Sequence, residues 1–257
     1  AINLSRIGES TSRGCFERIE DANVAECVGA VARHGEYIRA IAVNASHHAC
    51  GKTDPREVVR CGILAANETS LPLLFGMRRP EDWPLDEQLA LLRPGDIVTY
   101  CFRHNPHCIV DDGRLLTCVK DARQRGVQFD IGHGMGSFNF DVAETAISDG
   151  FAPDTISTDL QIGHQGAVPQ HDLPLVMSKL HAAGMPAAAV FATVTSTSAR
   201  TLNVDNKSGR LSPGSRADLL VLDSLPNQTL YDVTGQSRVG TWWTPRLTIL
   251  AGRVVPT

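Results

Sequence analysis

Short apolar runs alternate with amphipathic helical windows from the N-terminus to about residue 194, and this alternation restricts the fold more than any other feature. "INLSRI" precedes a helical window near residues 20–33. "YIRAIAV" precedes one from about Asp54 to Glu68, where Asp54-Pro55 supplies an N-cap and a first-turn proline. "LPLLF" leads into "PLDEQLALL", "DIVTYCF" into a window near 117–125, and "GVQFDI" into one near 139–148. "DTISTD" is followed by two windows, near 172–183 and 186–194. Apolar strands separated by helices imply a parallel sheet buried on both faces.

From about Gly209 the texture changes. "GRLSPGSRADLLVLD" and "PRLTILAGRVVPT" read as short strands with turn residues and no helical window between them, a small β-rich portion. Six β-α units precede it. No GxGxxG follows the first strand and no GxxxxGK[ST] occurs, so nucleotide-binding folds lack support. On counting alone, six units fit a six-stranded doubly wound sheet as well as part of a (β/α)8 barrel, which needs eight units.

Composition narrows the partners. The chain of 257 residues carries a net charge of -4 and is 42% apolar, which favours neither nucleic acid nor an anionic membrane as partner. No apolar run reaches the length of a membrane span, and no export leader is visible, so a cytoplasmic location is expected. Seven scattered cysteines without a CxxC pair read as free thiols in a reducing compartment. Cys101 and Cys108 flank "FRHNPH", a spacing that matches no defensible metal motif.

"RPGDIVTYCF", "GVQFDIGHGMGSFNFDVAETAISDGFAPDTISTDL", "DLPLVMSKLHAAGMP" and "GRLSPGSRADLLVLD", together with "NLSRIG" and "PRLTILAGRVVP" at the two ends, resemble the amidohydrolase superfamily in its dihydroorotase-like amidohydrolase/deacetylase branch. The resemblance covers nearly the whole chain, in order. It implies an α/β fold: a (β/α)8 TIM-type barrel, six of whose eight units lie in this chain, with a small C-terminal β-sandwich portion. Residues 1–205 would hold barrel strands three to eight and residues 206–257 the sandwich portion. "NLSRIG" would be the third barrel strand. A missing N-terminal segment or a partner chain is then expected to complete the barrel, as part of a homo- or hetero-oligomer.

The resemblance also implies one or two divalent metals. Their ligands in the family are a His-x-His pair on strand one, a carboxylated lysine on strand four, histidines on strands five and six, and an aspartate on strand eight. Here the strand-four position falls at Ala42, the strand-five position at Gly76 and the strand-six position at Tyr100, while the strand-eight acid is retained as Asp159. Alanine, glycine and tyrosine remove the nitrogen and carboxylate donors. No cofactor is therefore expected, with zinc or manganese kept as an alternative.

Several residues near the strand ends are candidates for chemistry. Asp159 closes a strand-like run, where a carboxylate is costly unless a cation or a reaction needs it. His133, in "DIGHGMGSF", is expected to act beside it, and His164 to share its proton transfer. The resemblance places Gly134, Gly136 and Ser137 in a loop lining the substrate pocket. Arg103 and His104 follow the sixth strand on the same face, with Arg103 suited to a substrate carboxylate and His107 nearby. His47 and His48 point apart as neighbours and are weak as a joint ligand set. His34, His171 and His181 read as ordinary surface or packing residues. A serine nucleophile lacks a G-x-S-x-G motif.

Two functions follow. In the first, the chain hydrolyses, or eliminates from, a small amide, ester or lactone without the usual binuclear metal centre. In the second, it is a catalytically inactive pseudoenzyme subunit that scaffolds or regulates an active partner.

Overall fold

The computed structural model describes residues 1–9, 13–79, 81–104, 109–166, 168–206 and 208–255. His107 and Cys108 lie outside the described residues. Along the chain run β1 (Ile2–Asn3), α1 (Val24–His34), β2 (Ile41–Asn44), α2 (His47–Cys50), α3 (Pro55–Thr69), β3 (Leu73–Gly76), α4 (Leu85–Ala90) and β4 (Ile97–Thr99). Next come β5 (Val110–Asp111), β6 (Arg114–Leu115), α5 (Thr117–Gln124), β7 (Gln128–Phe129), α6 (Phe140–Ser148), α7 (Leu173–Ala182), α8 (Ala187–Val194) and α9 (Ser196–Thr201). The chain ends in β8 (Leu219–Tyr231), β9 (Ser237–Leu250) and β10 (Arg253–Val255). Two compact units form, one from residues 1–99 and 116–129, the other from residues 100–115 and 130–257.

The first unit holds a parallel sheet of five strands in the order β1-β2-β3-β4-β7. Each strand lies beside the next strand of its kind in the chain, as successive staves of a β/α barrel do. Ile41, Val43, Leu73, Phe75, Val98 and Phe129 bury almost completely, which matches the continuous apolar runs of the sequence. Asp54 caps α3 by accepting from the Arg56 amide at 2.9 Å, with Pro55 in the first turn, as the Asp54-Pro55 pair implies.

In the second unit α7 packs on the antiparallel sheet β10-β9-β8. The Trp243 amide donates to the Ser178 hydroxyl at 2.9 Å, and the His181 ring stacks on Trp243 at 5.2 Å. Arg238 on β9 reaches Glu144 and Asp141 of α6 at 2.6 and 2.9 Å. Buried Asp232, between β8 and β9, accepts from the amides of Phe140, Thr234 and Gln236 and from Asn139. Asn139 also caps α6.

The sequence reading departs from this structure in several elements. "DTISTD" forms no ladder strand; Thr155 alone bridges Asp130 in parallel fashion, because the segment turns into the left-handed region at Asp159 (φ 49°). The C-terminal strands are long, of 13 and 14 residues, rather than short. Pro226 is tolerated within β8 because that strand lies at a sheet edge, and the ladder there is irregular. The hairpin β5–β6 was not expected, although Asp112-Gly113 turns it with φ of 45° and 67°, a recognised hairpin signal. Helices α2 and α9 were missed as well.

Candidate functional site

The site candidates gather in the second unit, where the segment after β7 meets the segment around Asp159. Asp130 anchors the junction. Its carboxylate is buried and accepts from the Thr155 hydroxyl at 2.7 Å and the Ser157 hydroxyl at 2.5 Å. Next along, the His133 amide donates to the Ser157 carbonyl at 3.2 Å and the Gly134 amide to the Thr158 carbonyl at 2.8 Å. The two loops are thus stitched together residue by residue up to Asp159.

Gly134 has φ 47°, and a Cβ there would sit 3.0 Å from Asp159 Oδ2. Glycine meets two demands at once: a left-handed backbone and close approach of a carboxylate. The Asp159 carboxyl is pushed above the ordinary carboxylate range by burial, against the pull of His164, the Gln161 hydrogen bond, His171 and the Tyr100 hydrogen bond. Tyr100 itself has φ 69°, and the Arg103 guanidinium lies over its ring at 5.3 Å. Arg103 thus joins the site through Tyr100. His104 is exposed, Gly136 is exposed with open space around it, and Ser137 is buried with its amide donating to the His133 carbonyl at 3.0 Å.

His133 is fully buried. Its ring lies parallel to Phe138 at 5.1 Å and to His171 at 5.2 Å. Nδ1 stands 2.7 Å from the Gly134 carbonyl and Nε2 stands 2.8 Å from Lys179 Nζ. The arrangement calls for Nδ1–H donating to the carbonyl and Nε2 accepting from the amine, which is a neutral imidazole. Burial, reinforced by the Lys179 charge, pulls its pKa down to about 3. Lys179, on α7, is also buried, donates to the Gln170 carbonyl at 2.8 Å, and is lowered to about 7 by burial.

His164 and His171 complete the cluster. His171 Nε2 is 3.2 Å from His164 Nδ1, and His171 Nδ1 is 3.0 Å from the Pro169 carbonyl. The Gln161 amide donates to the same His164 Nδ1 at 3.4 Å. His171, read from the sequence as an ordinary packing residue, is a buried member of this group. Asp130, Gln161 and Lys179 also went unremarked in the sequence. Asp130 alone carried a local signal, as a second acid ending a strand before a glycine-rich loop.

The residues to which the resemblance assigns the family's metal positions, Ala42, Gly76 and Tyr100, carry no imidazole or carboxylate. Ala42 lies within β2, Gly76 ends β3, and Tyr100 spends its hydroxyl on Asp159. Among the described residues no three His, Cys, Asp or Glu side chains gather in a way that would hold a metal ion. His47 stands in the first unit with Nε2 3.2 Å from Asp82 and Nδ1 3.0 Å from Arg78, an ion-pair network rather than a ligand set. The six described cysteines are free thiols. No described helix is long and apolar enough to cross a membrane.

Comparison with known proteins gives a consistent answer. The profile of the amidohydrolase family matches residues 89–255. A deacetylase of Brucella anthropi is 33% identical over 259 residues, spanning 99% of this chain and 63% of its own length. A deacetylase of Agrobacterium fabrum is 35% identical over 225 residues, spanning 86% of this chain and 54% of its own. The chain therefore spans between about half and two thirds of the length of these relatives. Among solved structures, an adenine deaminase superposes with a TM-score of 0.86 at 27% identity, covering 99% of this chain and 70% of its own. A dihydroorotase superposes with a TM-score of 0.86 at 32% identity, covering 98% and 68%.

Proposed function

Because this chain belongs to the amidohydrolase family, we propose that it takes part in hydrolysis of a C–N bond in a small acyl-amide, with Asp159 as the proton-transfer group. One observation carries the reading. The Asp159 carboxylate is held in a left-handed backbone conformation against a glycine, with its pKa raised by burial and two protein donors upon it. A carboxyl raised in this way exchanges protons closer to neutral pH than a solvated one, as a general base on water and then a general acid on the leaving nitrogen require.

The surrounding residues set its position. Tyr100 and Gln161 orient the carboxylate, and the Arg103 guanidinium lies over the Tyr100 ring. His164 lies in the same electrostatic field and is assigned to share the proton. The expected chemical role of His133 becomes a positioning one, because both its ring nitrogens are engaged within the protein. Gly136 lies open at the loop tip, where substrate contact is assigned together with His104. The donor set does not fit the family's metal centre, so no step is routed through a metal.

The deacetylase names of the relatives make N-acetyl compounds the first substrates to try. Amine release from a panel of N-acetyl amino acids is measured with and without chelator. Turnover is expected to survive chelation, and Asp159→Asn is expected to lower kcat by about 10²–10⁴-fold. Full activity of Asp159→Asn, or complete loss on chelation that zinc or manganese restores, would overturn the reading. The second reading, a catalytically inactive subunit, is favoured by the Tyr100 hydroxyl reaching the acid from a position that carries a metal ligand in the resembling family. Absence of turnover across the panel, with the protein folded, selects it.

A further inference from the structure

We propose that Lys179 is a nucleophilic amine that forms an imine with a small uncharged aldehyde admitted through the apolar cavity beside it. The cavity has a volume of about 260 Å³ and is lined by Pro169, Leu175, Leu230, Tyr231 and Trp242, with Lys179 and Gln170 among its walls. No carboxylate and no second cation lines it among the described residues, so a charged ligand finds no counter-ion there. The occupant is an apolar molecule of a few heavy atoms with one polar group directed at the amine.

The amine is set for attack by the number of its partners. Two acceptors meet Lys179 Nζ among the described residues, His133 Nε2 and the Gln170 carbonyl, each at 2.8 Å. A neutral amine has two N–H groups and one lone pair. Both N–H groups are then spent, and the lone pair is left over for the remaining tetrahedral direction. An ammonium would bring a third N–H. The charged groups that act on the amine are Asp172 and Asp232, neither of which lines the cavity; they favour the ammonium and are outweighed by burial, so the pKa falls to about 7. His133 is held neutral between Phe138 and His171 and adds no cation that an incoming carbonyl must displace. A desolvated lysine in an apolar pocket is the recognised form of an imine-forming nucleophile.

The step balances without a further reagent. The Nζ lone pair forms a bond to the carbonyl carbon as the C=O π bond opens, and a proton moves from nitrogen to the new alkoxide. The carbinolamine hydroxyl then leaves as water, with the second N–H proton, to give the C=N bond.

The test incubates the purified protein with benzaldehyde and cyanoborohydride at pH 7, so that hydride reduction fixes any imine as a benzylamine, and maps it by peptide mass spectrometry. Lys179 is expected to label at least about tenfold faster than Lys52, Lys120 or Lys207, because burial lowers its own amine to about 7. Lys179→Met should abolish the fast label. Thr229 is exposed on β8 and lines the cavity. Thr229→Trp should fill part of the cavity and slow labelling of Lys179, without replacing the amine or its two acceptors. Equal labelling of all four lysines, an unlabelled Lys179 in folded protein, or a rate unaffected by Thr229→Trp would each overturn the proposal.

Discussion

At the scale of single residues, burial decides which protons the molecule holds. The His133 imidazole stays neutral down to about pH 3, whereas in the unfolded chain it takes up a proton near its ordinary 6.5. The unfolded state therefore binds more protons below about 6.5, and stability falls as the pH drops through that range. Lys179 acts in the same direction higher up, because the unfolded amine is protonated from about 7 to about 10.4 while the buried one is not. Cys15 and Cys50 oppose this in alkali. Burial pushes their thiols up to about 12 and about 11, so the unfolded thiols ionise first and stability falls above about 8.5. The melting temperature is thus expected to climb from about pH 5 to pH 8.5 and then turn down. Lys179→Met should flatten the part of the rise above pH 7, as read by calorimetry across a pH series. A rise of the same steepness in that variant would show that another group drives it.

At the scale of elements, the link between the β7 end and the segment 155–159 is made by side chains where a ladder would otherwise run. Asp130 accepts from both Thr155 and Ser157, and asparagine in its place offers only one oxygen. Asp130→Asn is expected to cost about 1–3 kcal/mol in denaturant unfolding, since one buried hydroxyl loses its acceptor. It should lower kcat on any acyl-amide substrate as well, through displacement of Asp159. Gly134→Ala tests the other half of the junction. The new methyl would crowd the Asp159 carboxylate and sit at a positive φ, for a cost of about 1 kcal/mol or more and a fall in turnover. Activity unchanged in both variants would detach this junction from catalysis. Much of the element pattern was legible in advance: Asp54-Pro55 opens α3 as its capping chemistry requires, and the apolar runs of β2, β3 and β4 lie where periodicity puts them. "DTISTD" misled because its composition suits a strand, while hydrogen bonding from Asp130 and the turn at Asp159 took its place.

At the scale of the whole molecule, β1 is an edge strand that pairs on one side, with β2, among the described residues. An open parallel edge is a template for another strand. We expect concentration-dependent association of the isolated chain in sedimentation velocity runs, reduced by Ile2→Lys on that edge. A strictly monomeric protein at all concentrations would contradict this. The family and its α/β class were legible because the apolar alternation and the "FDIGHGMGSFNFD" and "DTISTD" stretches are local patterns, and local patterns survive in one dimension. The assignment of the family's metal positions to Ala42, Gly76 and Tyr100 is a reading of the same kind, resting on the resemblance and on which atoms those side chains carry. What sequence could not contain is the company of Lys179. In "VMSKLHAAG" it reads as a polar residue of an amphipathic helix, yet folding sets its amine against His133, 46 positions away, and strips both of water. The charge state of a side chain depends on desolvation and on neighbours brought together from distant parts of the chain, so only the tertiary structure decides it.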